Sequence, residues 1–371
     1  MSELYPATKK SFGERRLSVE LTNICNLHCS YCLRDEDALY NERANFLSLE
    51  LLQRIIVNAR EVMNITHVGF TGGEPTLHPE FDQVVEMCAA SGVTVSFVTN
   101  GWHFERIWPT VLAHRESIST VAFSLDGPSQ SEHDFWRGEG SFTRLVRAFS
   151  RCFGNSIPFG IKVTLRRDVV PKLEQLALFA ARMGALYLSF AHVLPTSHDV
   201  EDAAMLSADE RVRAEQEIAN LARIFKMRIA LDVGYFNVDT SAPCSPLAGV
   251  SANVDYRGCL SLCCNLSGFR GAAGRDDVVG DLNSEDFSSA YEKLSLMANE
   301  QMEMRTNHLT MLAEQGIEPD MYSASPCLYC LNTFGKLPWK NGLNNASTAS
   351  RALPVLRARN QVGLATPTSV R

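Results

Sequence analysis

A parallel α/β sheet with helices packed outside it, followed by a smaller α+β unit, is the fold class this sequence predicts. Two observations point there. From about residue 17 to 194, six short apolar runs alternate with segments of helical periodicity. After residue 228 that rhythm stops and short strands, turns and cysteines take over. A third observation locates the chemistry: nine of the 11 cysteines fall into two groups, one near residue 30 and one from Cys244 to Cys330.

The composition permits such a fold. The chain has 371 residues, 45% apolar and 21% charged, which excludes disordered and collagen-like classes. Thirty-five Lys and Arg against 42 Asp and Glu give a net charge of −7, which argues against general nucleic-acid binding. No apolar run is long enough for a transmembrane helix, and Met1 to Leu17 has no apolar core of a secretory signal. The expectation is a cytoplasmic protein without membrane contact. In a reducing compartment many cysteines read as metal ligands or catalytic thiols.

The strand-like runs are Leu17–Leu21, His67–Thr71, Val93–Thr99, Thr120–Leu125, Phe159–Leu165 and Ala185–Val193. In the first helical segment Leu51, Leu52, Ile55, Ile56, Ala59 and Val62 share one face. Cys88 joins Val84 and Val85 on the second helix's apolar face, and Cys152 joins Leu145 and Phe149 on the fourth's, so both read as core. Pro171 opens the fifth helix, Leu173, Leu176, Phe179, Ala180 and Met183 make its stripe, and Gly184 closes it. Ser207 and Glu210 form a capping box for the sixth, which runs to about Met227. His192, near the end of the sixth run, is the histidine placed to reach a pocket. Beyond residue 228, Arg228–Tyr235 reads as a strand, Val250–Cys264 as a hairpin turning near Asp255–Gly258, and Glu285 to Thr306 as a helix. Residues 336–371 carry six basic and no acidic side chains, the composition of a solvated tail.

Cys25, Cys29 and Cys32 follow directly on the first strand. Thiolates are what an iron–sulfur cube requires, and three ligands leave one iron open to bind something else. Gly72-Gly73-Glu74-Pro75 ends the second strand: its glycines allow close backbone approach, and Glu74 supplies an acceptor. Thr99-Asn100-Gly101 ends the third, and Ser124-Leu125-Asp126-Gly127 the fourth. Polar residues at the C-terminal ends of barrel strands are where such a fold places its chemistry.

CxxxCxxC with Tyr31 before the last cysteine, GGEP behind it and the six strand–helix units resemble the radical S-adenosylmethionine (SAM) superfamily. That resemblance implies a partial (β/α)6 TIM-like barrel over residues 17–227, after a short N-terminal segment 1–16. It implies a [4Fe–4S] cluster on Cys25, Cys29 and Cys32, whose open iron binds SAM. Gly72, Gly73, Glu74 and Pro75 would clamp the SAM amino group, with Asn100, Ser124 and Asp126 as further contacts. Arg137-Gly138 with Ser141-Phe142 also resembles a segment of one subgroup.

Cys244, thirteen residues, Gly258, four residues and Cys263, then Cys327 and Cys330 as CxxC, resemble the opening of that subgroup's SPASM/twitch extension. No cysteine follows Cys330, so the match is to the shorter twitch form. This implies an auxiliary [4Fe–4S] cluster on Cys244, Cys263, Cys327 and Cys330 within residues 228–335. If residues 258–264 are extended, Cys259 shares a face with Cys263 and Cys264 points away. Cys259 then either replaces a ligand, or is a catalytic thiol near the active site, or is a small core residue. Cys264 reads as core.

The implied chemistry is reductive cleavage of SAM to a 5′-deoxyadenosyl radical, which removes hydrogen from a substrate C–H bond. The auxiliary cluster would support a net oxidation, crosslink, dehydrogenation or epimerisation. The implied partners are a flavodoxin- or ferredoxin-type electron donor and a peptide or small natural-product substrate. Only 24 residues precede Cys25, too few for an N-terminal leader-binding domain, which leans toward a small molecule or a peptide recognised without such a domain. The competing class is a non-catalytic iron–sulfur or zinc protein, with His28 as a fourth zinc ligand. Zinc sites favour paired CxxC units, and neither zinc nor an electron carrier calls for an open three-cysteine site beside GGEP. A thiol oxidoreductase would place its CxxC at a helix N-terminus beside a strand, which Ser325–Pro326 ahead of Cys327 does not suggest.

Overall fold

The computed structural model describes residues 15–271 and 276–340. The parallel run is β1 (Arg15–Glu20), α1 (Leu49–Met63), β2 (Ile65–Thr71), α2 (Phe81–Ala90), β3 (Thr94–Thr99), α3 (Phe104–Ala113) and β4 (Ile118–Ser124). It continues with α4 (Gln130–Arg137), α5 (Ser141–Gly154), β5 (Phe159–Leu165), α6 (Leu173–Met183), β6 (Tyr187–His192), α7 (His198–Ala204), α8 (Ala208–Ile224) and β7 (Arg228–Val233). Each of the six expected strands lies within two or three residues of its expected place. The Ser207–Glu210 capping box is formed, and Gly184 closes α6 with φ +80°.

Strands β1 to β7 are neighbours in sequence order, and all pair parallel. Right-handed crossovers between sequential neighbours put every helix on one side of the sheet, which curves into a partial barrel. The helix side is apolar: Leu17, Val19, Val68, Phe70, Val95, Phe97, Val121, Phe123, Ile161, Leu188 and Phe190 are buried there. The alternate residues form rows across the other face. Ser18, Gly69, Ser96 and Thr120 are register partners, as are Ser124, Lys162, Ser189 and Ala230. A closed barrel packs that interior with branched apolar side chains; here it is small and polar.

The C-terminal part comprises β8 (Ser251–Val254), β9 (Cys259–Ser261), α9 (Cys264–Ser267), β10 (Val278–Asp281), α10 (Phe287–Glu314), α11 (Met321–Ala324) and α12 (Pro326–Thr333). The expected hairpin is β8–β9, and β8 adds parallel to β1. One sheet thus runs β10-β9-β8-β1 through β7. β7, beyond the expected boundary at 227, is its last parallel strand, so the extension is continuous with the barrel at both edges. The chain from 234 to 250 crosses from the β7 edge to the β1 edge.

Two expectations are corrected. The tail does not begin at 336: Lys336 and Leu337 are fully buried, and Lys336 pairs with Asp277 at 2.6 Å. Trp339 and Lys340 both bond Glu201 of α7; residues 341–371 lie outside the described residues. His192 also does not face the interior. It follows Leu188 and Phe190 onto the helix side, buried against Glu215 of α8.

Candidate active site

Every segment of the first thiol site begins at the C-terminal end of a strand. Cys25, Cys29 and Cys32 lie on the loop after β1, and Cys25 feels the charges of both others. Two backbone bonds from the end of β2 hold this loop: Gly73 N–H to Thr22 O at 2.9 Å and Glu74 N–H to Ile24 O at 2.8 Å. A Cβ on Gly73 would stand 2.0 Å from Ile24 O, so only glycine permits this approach. Asn100, after β3, donates to Asn26 Oδ1 at 3.0 Å and to Cys25 Sγ at 3.9 Å. The Leu27 N–H also donates to Cys25 Sγ. Burial pushes the Cys25 thiol up to about 12 and the Cys29 thiol up to about 11.

Glu74 and Asp126 sit where expected but are already engaged. Glu74 Oε1 accepts from Thr76 Oγ1 at 2.5 Å and Thr99 Oγ1 at 2.7 Å, and its Oε2 from the Asn100 N–H at 2.8 Å. A carboxylate so occupied ties β2 to β3 and has little capacity left for a ligand. Burial pushes its pKa up against these bonds. Asp126 accepts from Tyr31 Oη, from Arg137 Nε and, at 2.8 Å, from Arg166 Nη1. Burial opposes its ionisation, but Arg137 and Arg166 outweigh it and hold the carboxyl well below the usual range. Its task is therefore to align two arginines. Arg137 also reaches Tyr31 Oη at 2.9 Å, and Cys29 feels its charge. Arg166, fully buried, is stacked between Tyr31 at 4.6 Å and Trp136 at 4.0 Å. Ser124 is half-buried on the inner face of β4.

The second thiol group gathers from four places. Cys244 lies on the 234–250 crossing, Cys263 caps α9, and Cys327 and Cys330 lie on α12. Cys263, Cys327 and Cys330 each feel the charge of Cys244. The Gly234 N–H donates to Cys327 Sγ at 3.3 Å, Asn265 N–H to Cys263 Sγ at 3.5 Å and Gln301 Nε2 to Cys330 Sγ at 3.5 Å.

Cys259 is elsewhere. It starts β9 opposite Asp281, and its electrostatic neighbours are Asp255, Arg257 and Asp281. The expectation that it shares the cluster side assumed an extended chain to residue 264. The strand ends at Ser261 and the chain turns into α9. That turn swings Cys264 inward instead, beside Cys263, Arg34, Glu20 and Lys162. Cys263 donates to Cys264, and that bond together with burial raises the Cys263 pKa.

Both groups fit an iron–sulfur core. Amide donors already point at one sulfur of the first group and three of the second, as thiolate ligands require. Buried thiols with raised pKa give up protons when a cationic core binds. Among the described residues no three His, Cys, Asp or Glu side chains close around a single ion. The looser gathering suits a core in which each iron takes one thiolate.

Residues 19–178 match the family model of the radical SAM superfamily. That stretch is a radical SAM domain. Its relatives and structural neighbours support a likeness to the SPASM/twitch-type subgroup. It is 32% identical over 206 residues to the mycofactocin maturase MftC of Mycobacterium tuberculosis (strain ATCC 25618 / H37Rv), covering 53% of this chain and 50% of that one. It is 34% identical over 153 residues to the GTP 3′,8-cyclase of Actinobacillus succinogenes, covering 40% and 44%. The chain thus spans about half the length of the curated relatives it matches. Among solved structures, anSMEcpe with bound AdoMet and Cp18Cys peptide aligns with a TM-score of 0.61 over 88% of this chain and 98% of that one, at 15% identity.

Sequence reasoning left Arg137 without a role and missed Arg166. The Arg137-Gly138 pair closing a helix was the available signal for the first; a basic pair just past a strand end was the signal for the second.

Proposed function

We propose that this radical SAM protein is a peptide-modifying enzyme. When bound, the [4Fe–4S] cluster and SAM supply a 5′-deoxyadenosyl radical that takes hydrogen from a substrate C–H bond. Cys25, Cys29 and Cys32 would hold that cluster and leave one iron for SAM. Gly72 and Gly73 bring backbone to it, Asn100 braces Cys25, and Arg137 presents a cation beside Cys29 for the SAM carboxylate. The cysteine loop clamped by Gly73 with Arg137 beside it is the observation that carries this reading.

A peptide is favoured over a nucleotide by the charges of the inner face. Glu20 is paired with Arg34 at 2.5 Å, and Lys162 with Asp232 at 3.5 Å. Asp126 and Asp168 together balance Arg137 and Arg166. A triphosphate calls for surplus cations, whereas balanced pairs beside hydroxyls suit the neutral amides of a peptide. The similarity to a peptide maturase agrees. Cys244, Cys263, Cys327 and Cys330 would hold an auxiliary [4Fe–4S] cluster that supports a net oxidation, and a flavodoxin- or ferredoxin-type protein would deliver the first electron. No helix among the described residues is long and apolar enough to cross a membrane; we place the enzyme in the cytoplasm.

Anaerobically reconstituted protein tests this. About 8 irons in the wild type and about 4 in the Cys25/Cys29/Cys32→Ala variant are expected, with 5′-deoxyadenosine formed only by the former. Zinc in place of iron, or SAM cleavage by the triple variant, would overturn it.

A further inference from the structure

We propose that Arg211 and Arg305 are positioning residues of the C-terminal thiol group, whose buried positive charges bias an iron–sulfur core held there toward its reduced state. This rests on the reading of that group as an auxiliary cluster site.

The two arginines approach the thiols from different helices. Arg211, on α8, is fully buried. Its Nη1 donates to Gly234 O at 2.8 Å, and the N–H of that same residue donates to Cys327 Sγ. Gly234 has φ +78°, and a Cβ there would stand 2.7 Å from His192 Cβ, so the sequence provides the one residue that can bring backbone to this sulfur. Glu215, one helical turn along α8, accepts from the Phe236 N–H at 3.1 Å. α8 therefore grips the loop at two points and fixes the N–H that faces Cys327.

Arg305, on α10, is 5% exposed. Its Nη2 donates to the carbonyls of Asn237, Ser323 and Ala324, joining the start of the Cys244 crossing to the turn ahead of Cys327. It lines one cleft with Cys244 and Pro326. These acceptors are all neutral, and its strongest charged neighbours are Cys330 and then Cys244. Arg305 Nε and Arg211 Nη2 are buried without a hydrogen-bond partner. A buried guanidinium bonded to carbonyls is costly unless an anion stands near it. Arg211 has Glu215 as its first charged neighbour and Cys327 further down; for Arg305, four thiolates around an iron–sulfur core supply that anion, and four neutral thiols do not.

Reduction adds one negative charge to such a core. Its potential is set by net charge, hydrogen bonds to sulfur and burial. The Arg305 guanidinium stabilises the added charge most directly, Arg211 adds to it beyond what Glu215 balances, and the Gly234 and Gln301 donors act in the same direction. A raised potential is what an electron-accepting role demands, so the arrangement also gives the auxiliary site its part in a net oxidation.

The test uses the full chain with Cys25, Cys29 and Cys32 replaced by Ala, so that only the C-terminal centre responds. Iron content and an EPR-monitored redox titration are compared for Arg305→Met, Arg305→Lys, Arg211→Met and Arg211→Lys. Each Met variant is expected to shift the one-electron equilibrium about tenfold toward the oxidised form, a fall of about 59 mV, and each Lys variant to recover most of it. Loss of iron in a Met variant with retention in its Lys counterpart would equally show the charge at work. Unchanged potentials in iron-replete Met variants would overturn the inference. So would Lys variants that fall as far as the Met ones, because that effect is packing. If one position cannot hold iron in either variant, the other decides by the same criteria. A background protein without iron, beside a wild type holding about 4 irons, would instead refute the auxiliary site itself.

Discussion

Gly73→Ala is the sharpest perturbation of the first thiol site. The added Cβ would stand 2.0 Å from Ile24 O, 2.4 Å from Ile24 C and 2.8 Å from Asn23 O. All three are backbone atoms, so no side chain can rotate out of the way. Ordinary contact begins at 3.4 Å, so the strand end and the loop must part by about 1.4 Å. Ile24 immediately precedes Cys25, and the Glu74 N–H bond to Ile24 O would stretch with it. Overpacking of this kind costs about 1–3 kcal/mol, which a chain with so large a core survives. Displacing a reacting group by about 1 Å costs about a hundredfold in rate. We therefore expect folded protein with its C-terminal iron retained, a modestly lower unfolding midpoint, and 5′-deoxyadenosine formation reduced about a hundredfold. Gly154→Ala, with nothing within 4 Å of the new Cβ, is the control and should match the wild type. Cleavage by Gly73→Ala within threefold of wild type would refute the claim that this contact sets the position of the cysteine loop.

Four further outcomes are expected. Asp126→Asn leaves Arg137 and Arg166 without their shared carboxylate, and urea titration should show about 3–5 kcal/mol lost. Lys336→Met strands the buried Asp277 and should cost a similar amount; a near-neutral result would return residue 336 to a loose tail. Burial, with Arg137 assisting, holds His133 neutral with a pKa lowered to about 4. The unfolded chain therefore binds the extra proton, and stability should fall as pH drops from about 6.5 to 4, by about 3 kcal/mol for this group. His133→Asn should flatten that slope, whereas the loss tied to Asp126, whose carboxyl is depressed, begins only below about pH 4. Cys259→Ala should leave iron content and turnover unchanged, and Cys264→Ala should alter the EPR signal of the C-terminal centre; the reverse pattern would restore the sequence-based assignment.

The barrel was legible because its signals are local. Short apolar runs mark the strands, and the Ser207–Glu210 box and Gly184 mark helix ends by backbone chemistry that needs no tertiary partner. The cysteine groups were legible by spacing. What was not legible depends on where the chain turns. The turn from Ser261 into α9 decides whether Cys259 or Cys264 faces inward, and a four-residue helix leaves almost no periodic trace. Lys336 looked like tail because its partner Asp277 is 59 residues away. The strand-end motifs locate Glu74 and Asp126 but not their partners, among them Thr99 and Asn100 for the one and Tyr31 and Arg166 for the other. Arg211 and Arg305 stay hidden for the same reason, since each acts through a carbonyl that no motif announces.

The sheet order explains why the two thiol groups can serve one reaction. Sequential parallel strands leave one face without helices, and a face that buries nothing against helices can be lined by Ser, Thr, Lys and Asp. The loops that carry chemistry all leave from the C-terminal ends of those strands. Cys25, Glu74, Asn100, Asp126 and Arg166 follow β1 to β5 in turn, and Gly234 follows β7. The 234–250 crossing then brings Cys244 and its partners back to the β1 edge. The polar interior between the two groups holds Glu20, Arg34, Lys162 and Cys264. A substrate lying there would have the SAM-side thiols at one end and an electron acceptor, poised by two buried arginines, at the other. On the function proposed above, hydrogen removal and electron removal would act on one bound substrate without its release.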